Sequence, residues 1–455
     1  MGVVDMKERW FVRWRPYRGN LEKTPVAMNE YLPVGQSMVL GAQHAFAMFG
    51  ATILAPLLMG FDPSLTMLIT GIGTILFFLI TGGHVPSYLG SSFAFIGAVA
   101  AATGYAGAGS NPNIALALGG TIVCGVLYAI VGLMVMRTGT QWIEKLMPPV
   151  VTGTIVMIIG LNLAPVTIKS VSANNFDAWM ALVTILCIGT IAVFTRGMIR
   201  RLLLLIGLVM SYAIYFVCAN VMGLGKPIDF NAISNAAWFG LPAFHQPVFQ
   251  LNAILLIAPV FIILIAENLG HFKAVSAMTG QNISPYMGRA FFADGLCTTL
   301  SASVGGTGMT TYAENIGVMA ATKIYSTVVF VIAGVFAILL GLSPKFGSLI
   351  STIPVAILGG ASIVVFGLIT IAGARIWISN QVDFSKNGNM IVAAIALIMG
   401  AGNYSLHIGN FDLGGIGTAT FAAILMNLVF NRETRTLKTG SGTTPLTSPA
   451  MPVKE

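Results

Sequence analysis

Apolar residues run in long blocks separated by short polar breaks. Leu65–Ile80, Ile114–Met136 and Leu251–Ala266 carry no charge at all. A helix needs roughly 20 such residues to cross a hydrocarbon core of about 30 Å. Outer-membrane β-barrels instead alternate apolar and polar positions in pieces of about ten residues. That alternation is missing. The pattern predicts an all-α polytopic membrane protein with fourteen spans. The first seven are 36–58, 64–81, 88–102, 114–137, 148–167, 178–195 and 202–222. The second seven are 250–271, 287–302, 309–321, 325–342, 355–372, 389–401 and 415–431.

Basic residues give an independent check on the count, because cytoplasmic loops collect Lys and Arg. With the N-terminus inside, the leader holds Lys7, Arg9, Arg13, Arg15, Arg18 and Lys23. Inside loops hold Arg137, Lys145, Arg196, Arg200, Arg201, Lys273, Arg289, Lys323, Arg375 and Lys386, and the tail holds Arg432, Arg435, Lys438 and Lys454. Only Lys169, Lys226 and Lys345 fall outside. Both termini are therefore expected in the cytoplasm. The net charge of +8 becomes a topology signal and a contact with anionic lipid, so no nucleic-acid partner is expected.

Composition agrees with this picture. Hydrophobic residues make up 56% and charged residues 8%, with a mean hydropathy of +0.86. A soluble chain of this length would need a charged skin that is absent here, and disorder needs low hydrophobicity. Cys124, Cys187, Cys218 and Cys297 each sit alone in an apolar run and read as small buried hydrophobes. No metal-ligand spacing occurs, and no cleavable signal peptide is apparent. The Trp10–Arg18 stretch reads equally as a membrane-interface segment or a mobile leader. The tail beyond Thr434, rich in Thr, Ser, Pro and Gly, is expected to be disordered.

Fourteen spans divide into seven plus seven. An odd number per half reverses the second half, the geometry of an inverted repeat. Spans three and ten are then partners, and both open on small polar residues: Tyr88-Leu89-Gly90-Ser91-Ser92-Phe93, and Gly305-Gly306-Thr307-Gly308-Met309-Thr310-Thr311-Tyr312. Such runs are poor lipid-facing helix. Non-helical backbone at membrane depth is tolerated only where it is buried in protein or lines a cavity. Paired interruptions in matching halves point to a transporter binding site.

Few acids and histidines lie within or at the ends of the spans: Glu267, Asp294, Glu314, His44 and His271. A charge at mid-bilayer costs about 3 kcal/mol or more and normally faces a cavity. Glu314 follows the Thr-Thr-Tyr break. A carboxylate beside exposed backbone N–H groups suits a planar ligand with adjacent N–H and C=O groups; the plainer role is a cap on the half-helix that begins there. Glu267 and His271 are four apart and share a helix face. They read as a proton-coupling element or as a satisfied structural pair. His44 beside Gln43 reads as a hydrogen-bonded packing residue, and Asp294 as a partner of Arg289 or a snorkelling acid. There is no phosphate-binding loop for ATP-driven pumping and no recognisable hydrolytic triad. No enzymatic activity and no metal or other cofactor is expected.

Four stretches carry a resemblance. Glu314-Asn315-Ile316-Gly317 followed by Thr322-Lys323 fits a signature of an acid or Gln, Asn, any residue, Gly, four residues, Thr and a base. Gln43-His44 followed by Ala47-Met48-Phe49-Gly50-Ala51-Thr52 fits a first span, Tyr88–Phe95 a third, and Ala266–His271 an eighth. With these motifs the sequence resembles the nucleobase–ascorbate transporter family, and within it the bacterial uracil permeases, from about residue 33 to 430.

The resemblance implies a core domain (33–140 and 226–345, spans one to four and eight to eleven) and a gate domain (141–225 and 346–432, spans five to seven and twelve to fourteen). The termini 1–32 and 433–455 lie outside these. Spans three and ten would open as short strands paired antiparallel. Substrate would meet Glu267, Glu314, Phe93, Ala313, Ala51 and Tyr312. Glu267 and His271 would carry the proton, and Gln43, His44, Ser92 and Ser362 would support the pocket. Asn315, Gly317, Thr322 and Lys323 complete the motif with Glu314. Phe366 stands where some uracil permeases have Tyr. The implied protein is a homodimeric, proton-coupled symporter for uracil and related pyrimidines in the bacterial inner membrane. A purine or xanthine permease is the main alternative, and an anion transporter of the same fold a more distant one.

Overall fold

The computed structural model describes residues 10–21, 24–105, 109–408 and 411–431. The apolar runs become helices, and capping signals bracket some of them. Helix α1 spans Val34–Met59 and ends on Gly60 at φ 74°. Helix α2, Pro63–Thr81, starts with Pro63 at its first position, and the Asp62 side chain accepts from Ser64 N–H. It ends on Gly82 at φ 65°, a left-handed conformation that glycine adopts without cost. The others are α3 (Phe95–Thr103), α4 (Ile114–Thr138), α5 (Pro149–Val171), α6 (Asn175–Phe194) and α7 (Leu203–Phe216). The second half holds α8 (Val260–Thr279), α9 (Met287–Val304), α10 (Ala313–Thr322), α11 (Val328–Gly341), α12 (Val355–Ser379), α13 (Asn387–Ala401) and α14 (Gly415–Phe430).

Among the described residues eight helical segments are long and apolar enough to cross a membrane alone. The other expected spans are shorter. Helices α13 and α14 are short and apolar, and α11 bends by 80° into the helix Pro344–Ser351. Helices α3 and α10 are half-length because strands precede them. Two ends depart from expectation. Span eight starts as Leu251–Ile257, breaks at Ala258-Pro259, and continues as α8 to Thr279 rather than ending near 271. Span twelve reaches Ser379 rather than 372. Hydropathy marks where the bilayer ends, whereas the polar residues beyond it keep their helical hydrogen bonds. The tail expected to be disordered lies outside the described residues.

The inverted repeat is visible in the packing. Helix α4 packs on α9 as α11 packs on α2, α6 on α12 as α13 on α5, and α6 on α7 as α13 on α14. Each contact maps onto its partner by a shift of seven. Glycines let the backbones meet: a Cβ on Gly132 of α4 would lie 2.3 Å from Phe292 N of α9.

At the centre the strand β3 (Leu89–Ser91) pairs antiparallel with β4 (Met309–Thr311), Leu89 opposite Thr311 and Ser91 opposite Met309. Two short strands precede these in the chain, β1 (Arg15–Pro16) and β2 (Glu30–Tyr31), paired in parallel. From Trp10 on, the leader is docked. Val12 N–H donates to Gly82 O at 2.8 Å, the Trp14 indole donates to Thr327 Oγ1 at 3.1 Å, and Trp14 stacks on Phe78. Of the two readings of this stretch, a mobile leader is therefore not what the described residues show.

Candidate functional site

The crossing of β3 and β4 is built from buried small and polar residues. Each strand has an outer edge that hydrocarbon would leave unsatisfied. On one side Leu89 N–H donates to Thr74 Oγ1 at 3.1 Å, and Thr74 donates back to Leu89 O at 3.4 Å. On the other, Met309 N–H donates to Thr298 Oγ1 at 3.0 Å, and Thr298 donates to Met309 O at 3.2 Å. Ser92 N–H extends the pairing to Gly308 O at 2.9 Å. The sheet is thus closed by side chains and can sit at membrane depth.

Tyr312 lies across this sheet. Its hydroxyl donates to Ser91 O at 2.8 Å, and its ring lies where a Cβ on Gly90 would come within 2.4 Å. This is why residue 90 is glycine. Tyr312, expected to meet substrate, is buried here with its hydroxyl bonded to the strand.

Helix α8 passes beside β4 and delivers Glu267, Asn268 and His271 to it. Thr310 Oγ1 is 3.4 Å from Glu267 Oε2, and His271 Nδ1 is 2.9 Å from Thr311 Oγ1. Among the described residues no hydrogen bond joins Glu267 to His271 directly. Each instead meets a different threonine of β4, and both threonines lie within hydrogen-bond distance of Asn268 Oδ1. Asn268 is the residue that sequence reasoning passed over. Its Oδ1 accepts from Thr311 Oγ1, and its Nδ2 donates at 2.6 Å to both Tyr128 OH and Asp294 Oδ2. Asp294 is fully buried in this cluster, and among the described residues no ion pair joins it to Arg289. Arg289 instead lies over the Trp10 ring, 4.1 Å from its centroid.

Helix α10 starts directly after β4, so its unpaired N–H groups and positive dipole end sit at the crossing. Glu314 occupies that first turn and is exposed, as are Ala313 and Gly317 on the same open side. Glu314 and Glu267 are near enough for their charges to interact. Asn315 turns the other way, its Nδ2 2.9 Å from His44 Nδ1, and the His44 ring packs on Phe330. His44 is therefore a bonded packing residue. Gln43 beside it is buried, and its Nε2 has no hydrogen-bond partner among the described residues. Thr322 bonds back to Val318 O at 2.9 Å, and Lys323 ends the helix at φ 57°. The last two motif residues thus act as a helix terminator.

Phe93 links β3 to α3 and meets Phe366 of α12 edge-on, 6.1 Å between centroids. Ser92 Oγ accepts from Ala94 N–H at 3.2 Å where α3 begins. Ala51 is buried in α1, and Ser362 donates to Leu358 O at 2.6 Å within α12. The structure therefore gathers Glu267, His271, Glu314, Ala313 and Phe93 around one strand crossing. His44 and Asn315 bond to each other behind α10 and Ser92 bonds at the start of α3, while Thr322, Lys323 and Ser362 serve their own helices.

A family model described as "Permease family" matches residues 35–409. The chain belongs to this permease family. It is 63% identical over 423 residues to the putative pyrimidine permease RutG of Escherichia coli (strain K12), covering 93% of this chain and 96% of that one. It is 37% identical over 419 residues to the uracil permease of Paenibacillus larvae, covering 89% and 96%. The uracil permease of Escherichia coli (strain K12) is also 37% identical, over 422 residues, with coverage of 90% and 95%.

Two solved structures share the fold. The transmembrane domain of a cyanobacterium bicarbonate transporter, BicA, superposes with a TM-score of 0.59 at 16% identity, covering 80% of this chain and 96% of that chain. Murine Solute Carrier 26 family member A9, an anion transporter in the inward-facing state, gives 0.66 at 10% identity, with coverage of 88% and 69%. The permease is thus a multi-pass membrane protein built as two inverted seven-segment repeats.

Proposed function

We propose that this permease is a proton-coupled symporter that carries uracil and related pyrimidines inward across the bacterial cytoplasmic membrane. The observation that carries the reading is the meeting of Glu267, Glu314 and the N-terminal end of α10 at one strand crossing, with Phe93 alongside. Uracil is flat and carries N–H donors next to C=O acceptors. The carboxylates accept from its N–H groups, the helix-start N–H groups donate to its carbonyls, and Phe93 covers its face. Relatives named as pyrimidine or uracil permeases over nearly the whole chain support the cargo.

A proton taken by Glu267 from outside removes a charge from a site that already holds Glu314. Base and proton then stabilise one another's binding, which is what coupling requires. Spans one to four and eight to eleven move as the core against a gate of the remaining spans, through which two copies associate. Both termini lie in the cytoplasm. An anion as cargo is disfavoured, because Glu314 occupies the half-helix end that would receive it.

The test is uptake of labelled uracil into vesicles with an imposed pH gradient. Accumulation driven by the gradient is expected, and it is expected to be lost in Glu267→Gln. Full gradient-driven accumulation by that variant would remove the coupling assignment. Competition by thymine, xanthine and hypoxanthine separates a pyrimidine from a purine site.

A further inference from the structure

Helix α10 has ten residues. Helices of fewer than about 12 residues depend on tertiary contacts for their stability. The start of α10 follows β4 directly, so the paired sheet holds the end that carries Glu314. The other end lies about 15 Å away at 1.5 Å per residue. It needs a hold of its own.

The leader supplies one. Val26 N–H donates to Lys323 O at 2.9 Å, and Tyr325 N–H donates back to Val26 O at 2.9 Å, so Val26 and Ile324 pair as a parallel bridge. The first of these bonds takes up a carbonyl at the helix end. Two residues on, Thr327 N–H and Thr327 Oγ1 both donate to Met28 O, at 3.2 and 3.1 Å. The Trp14 indole donates to the same hydroxyl. Behind these bonds Val26, Leu32, Ile324 and Val329 form an apolar cluster separate from the main core, with Tyr17 and Leu40 of α1 packed on it. The leader is itself tied to the end of α2, through Val12 N–H to Gly82 O and through Trp14 on Phe78. It therefore joins α1 and α2 to the junction of α10 and α11.

We propose that Trp14, Val26 and Met28 of the leader are positioning residues of the transport site: they fasten the far end of α10 to α1 and α2 and so hold Glu314 in place for the base. This rests on the reading of Glu314 as a contact of the base. The leader residues themselves touch no substrate. A helix released at its far end spends only part of its time with Glu314 in position, and the apparent Kd rises by the inverse of that fraction. A strap that served stability alone would lower Tm and leave Kd unchanged.

The test uses the full-length protein, with the Kd for uracil from isothermal titration and Tm from thermal unfolding. Thr327→Val keeps the volume but strips the side-chain bonds to Trp14 and Met28. Its Kd is expected to rise roughly threefold to tenfold, as loss of about one net hydrogen bond of ordering allows. Its Tm is expected to stay close to wild type, because the leader opens locally. Thr327→Ser keeps the hydroxyl and is expected to bind within about twofold of wild type. Trp14→Phe removes the same indole bond, so adding it to Thr327→Val is expected to change little more. Val26→Asp puts a carboxylate where Val26 is fully buried and drives the leader off the junction. Its Kd is expected to rise at least as far. Wild-type Kd in both Thr327→Val and Val26→Asp would overturn the proposal, and so would a fall in Tm with Kd unchanged. Should Val26→Asp fail to fold, the Val and Ser variants at Thr327 decide alone. If the wild-type protein binds no uracil, the cargo reading fails instead, and the same variants are compared with the base it does bind.

Discussion

Thr74 and Thr298 make the same pair of hydrogen bonds to opposite edges of one two-stranded sheet. Thr74 closes Leu89 from α2, and Thr298 closes Met309 from α9, its counterpart in the other repeat. The twofold relation between the halves is therefore preserved down to single hydroxyls. Replacing Thr298 by Val keeps the volume but strips both bonds. Each orphaned strand group costs about 1–3 kcal/mol. Thr298→Val is expected to lower Tm in detergent clearly, and Thr74→Val to do the same. A variant that unfolds with the wild-type protein would show that water replaces the hydroxyl.

Asn268 joins three elements at once: β4, the Tyr128 hydroxyl of α4 and the Asp294 carboxyl of α9. Asn268→Ala leaves a fully buried acid and a buried tyrosine without this partner. The expected outcome is a loss of about 2–4 kcal/mol of stability, in the range for breaking a buried polar network. Because Thr310 and Thr311 lose an acceptor as well, uracil binding is expected to fall with it. Asn268→Asp, which keeps the shape but places a second acid beside Asp294, tests the charge. Retained Tm together with retained uptake in both variants would count against the network.

Much of this was legible in the chain. The spans, their parity and the interrupted pair at residues 88 and 309 follow from hydropathy and from the poor helix-forming character of Gly, Ser and Thr. Glu267 and Glu314 stood out because charge is scarce. Tertiary partners were not legible. Nothing local to Asn268 says that it meets Asp294, 26 positions away. The sharing of a helix face by Glu267 and His271 gave no sign that each would bond a different threonine of β4. The bond made by Tyr312 was hidden for a similar reason. Sequence places an aromatic at the break, but only the strand register turns its hydroxyl onto Ser91.

Phe366 of α12 meets Phe93 edge-on. The pair sets the position of the Phe93 ring, against which the base is proposed to lie. Such aromatic pairs contribute about 0.5–1.5 kcal/mol beyond buried area. Phe366→Leu is therefore expected to raise the Kd for uracil roughly twofold to tenfold, with little change in folding. Phe366→Tyr should keep the ring contact and bind within twofold of wild type or tighter. Isothermal titration with uracil checks both. Wild-type affinity in Phe366→Leu would mean that Phe93 is positioned by its own backbone alone.

Gly90 and Gly317 make opposite predictions from one substitution. A Cβ at Gly90 lies 2.4 Å from the Tyr312 ring, inside any allowed contact, whereas a Cβ at Gly317 meets nothing within 4 Å. Gly90→Ala is expected to fold poorly, and Gly90→Ala with Tyr312→Leu to recover part of the loss, since the two residues share one space. Gly317→Ala is expected to be as stable as wild type or more so, because alanine favours a helix over glycine by about 1 kcal/mol. Its methyl would nonetheless stand one turn from Glu314, on the open face of α10. Uracil uptake is expected to fall while Tm does not. If Gly317→Ala transports at the wild-type rate, the α10 face is not on the path of the base, and the glycine of the motif serves something other than passage.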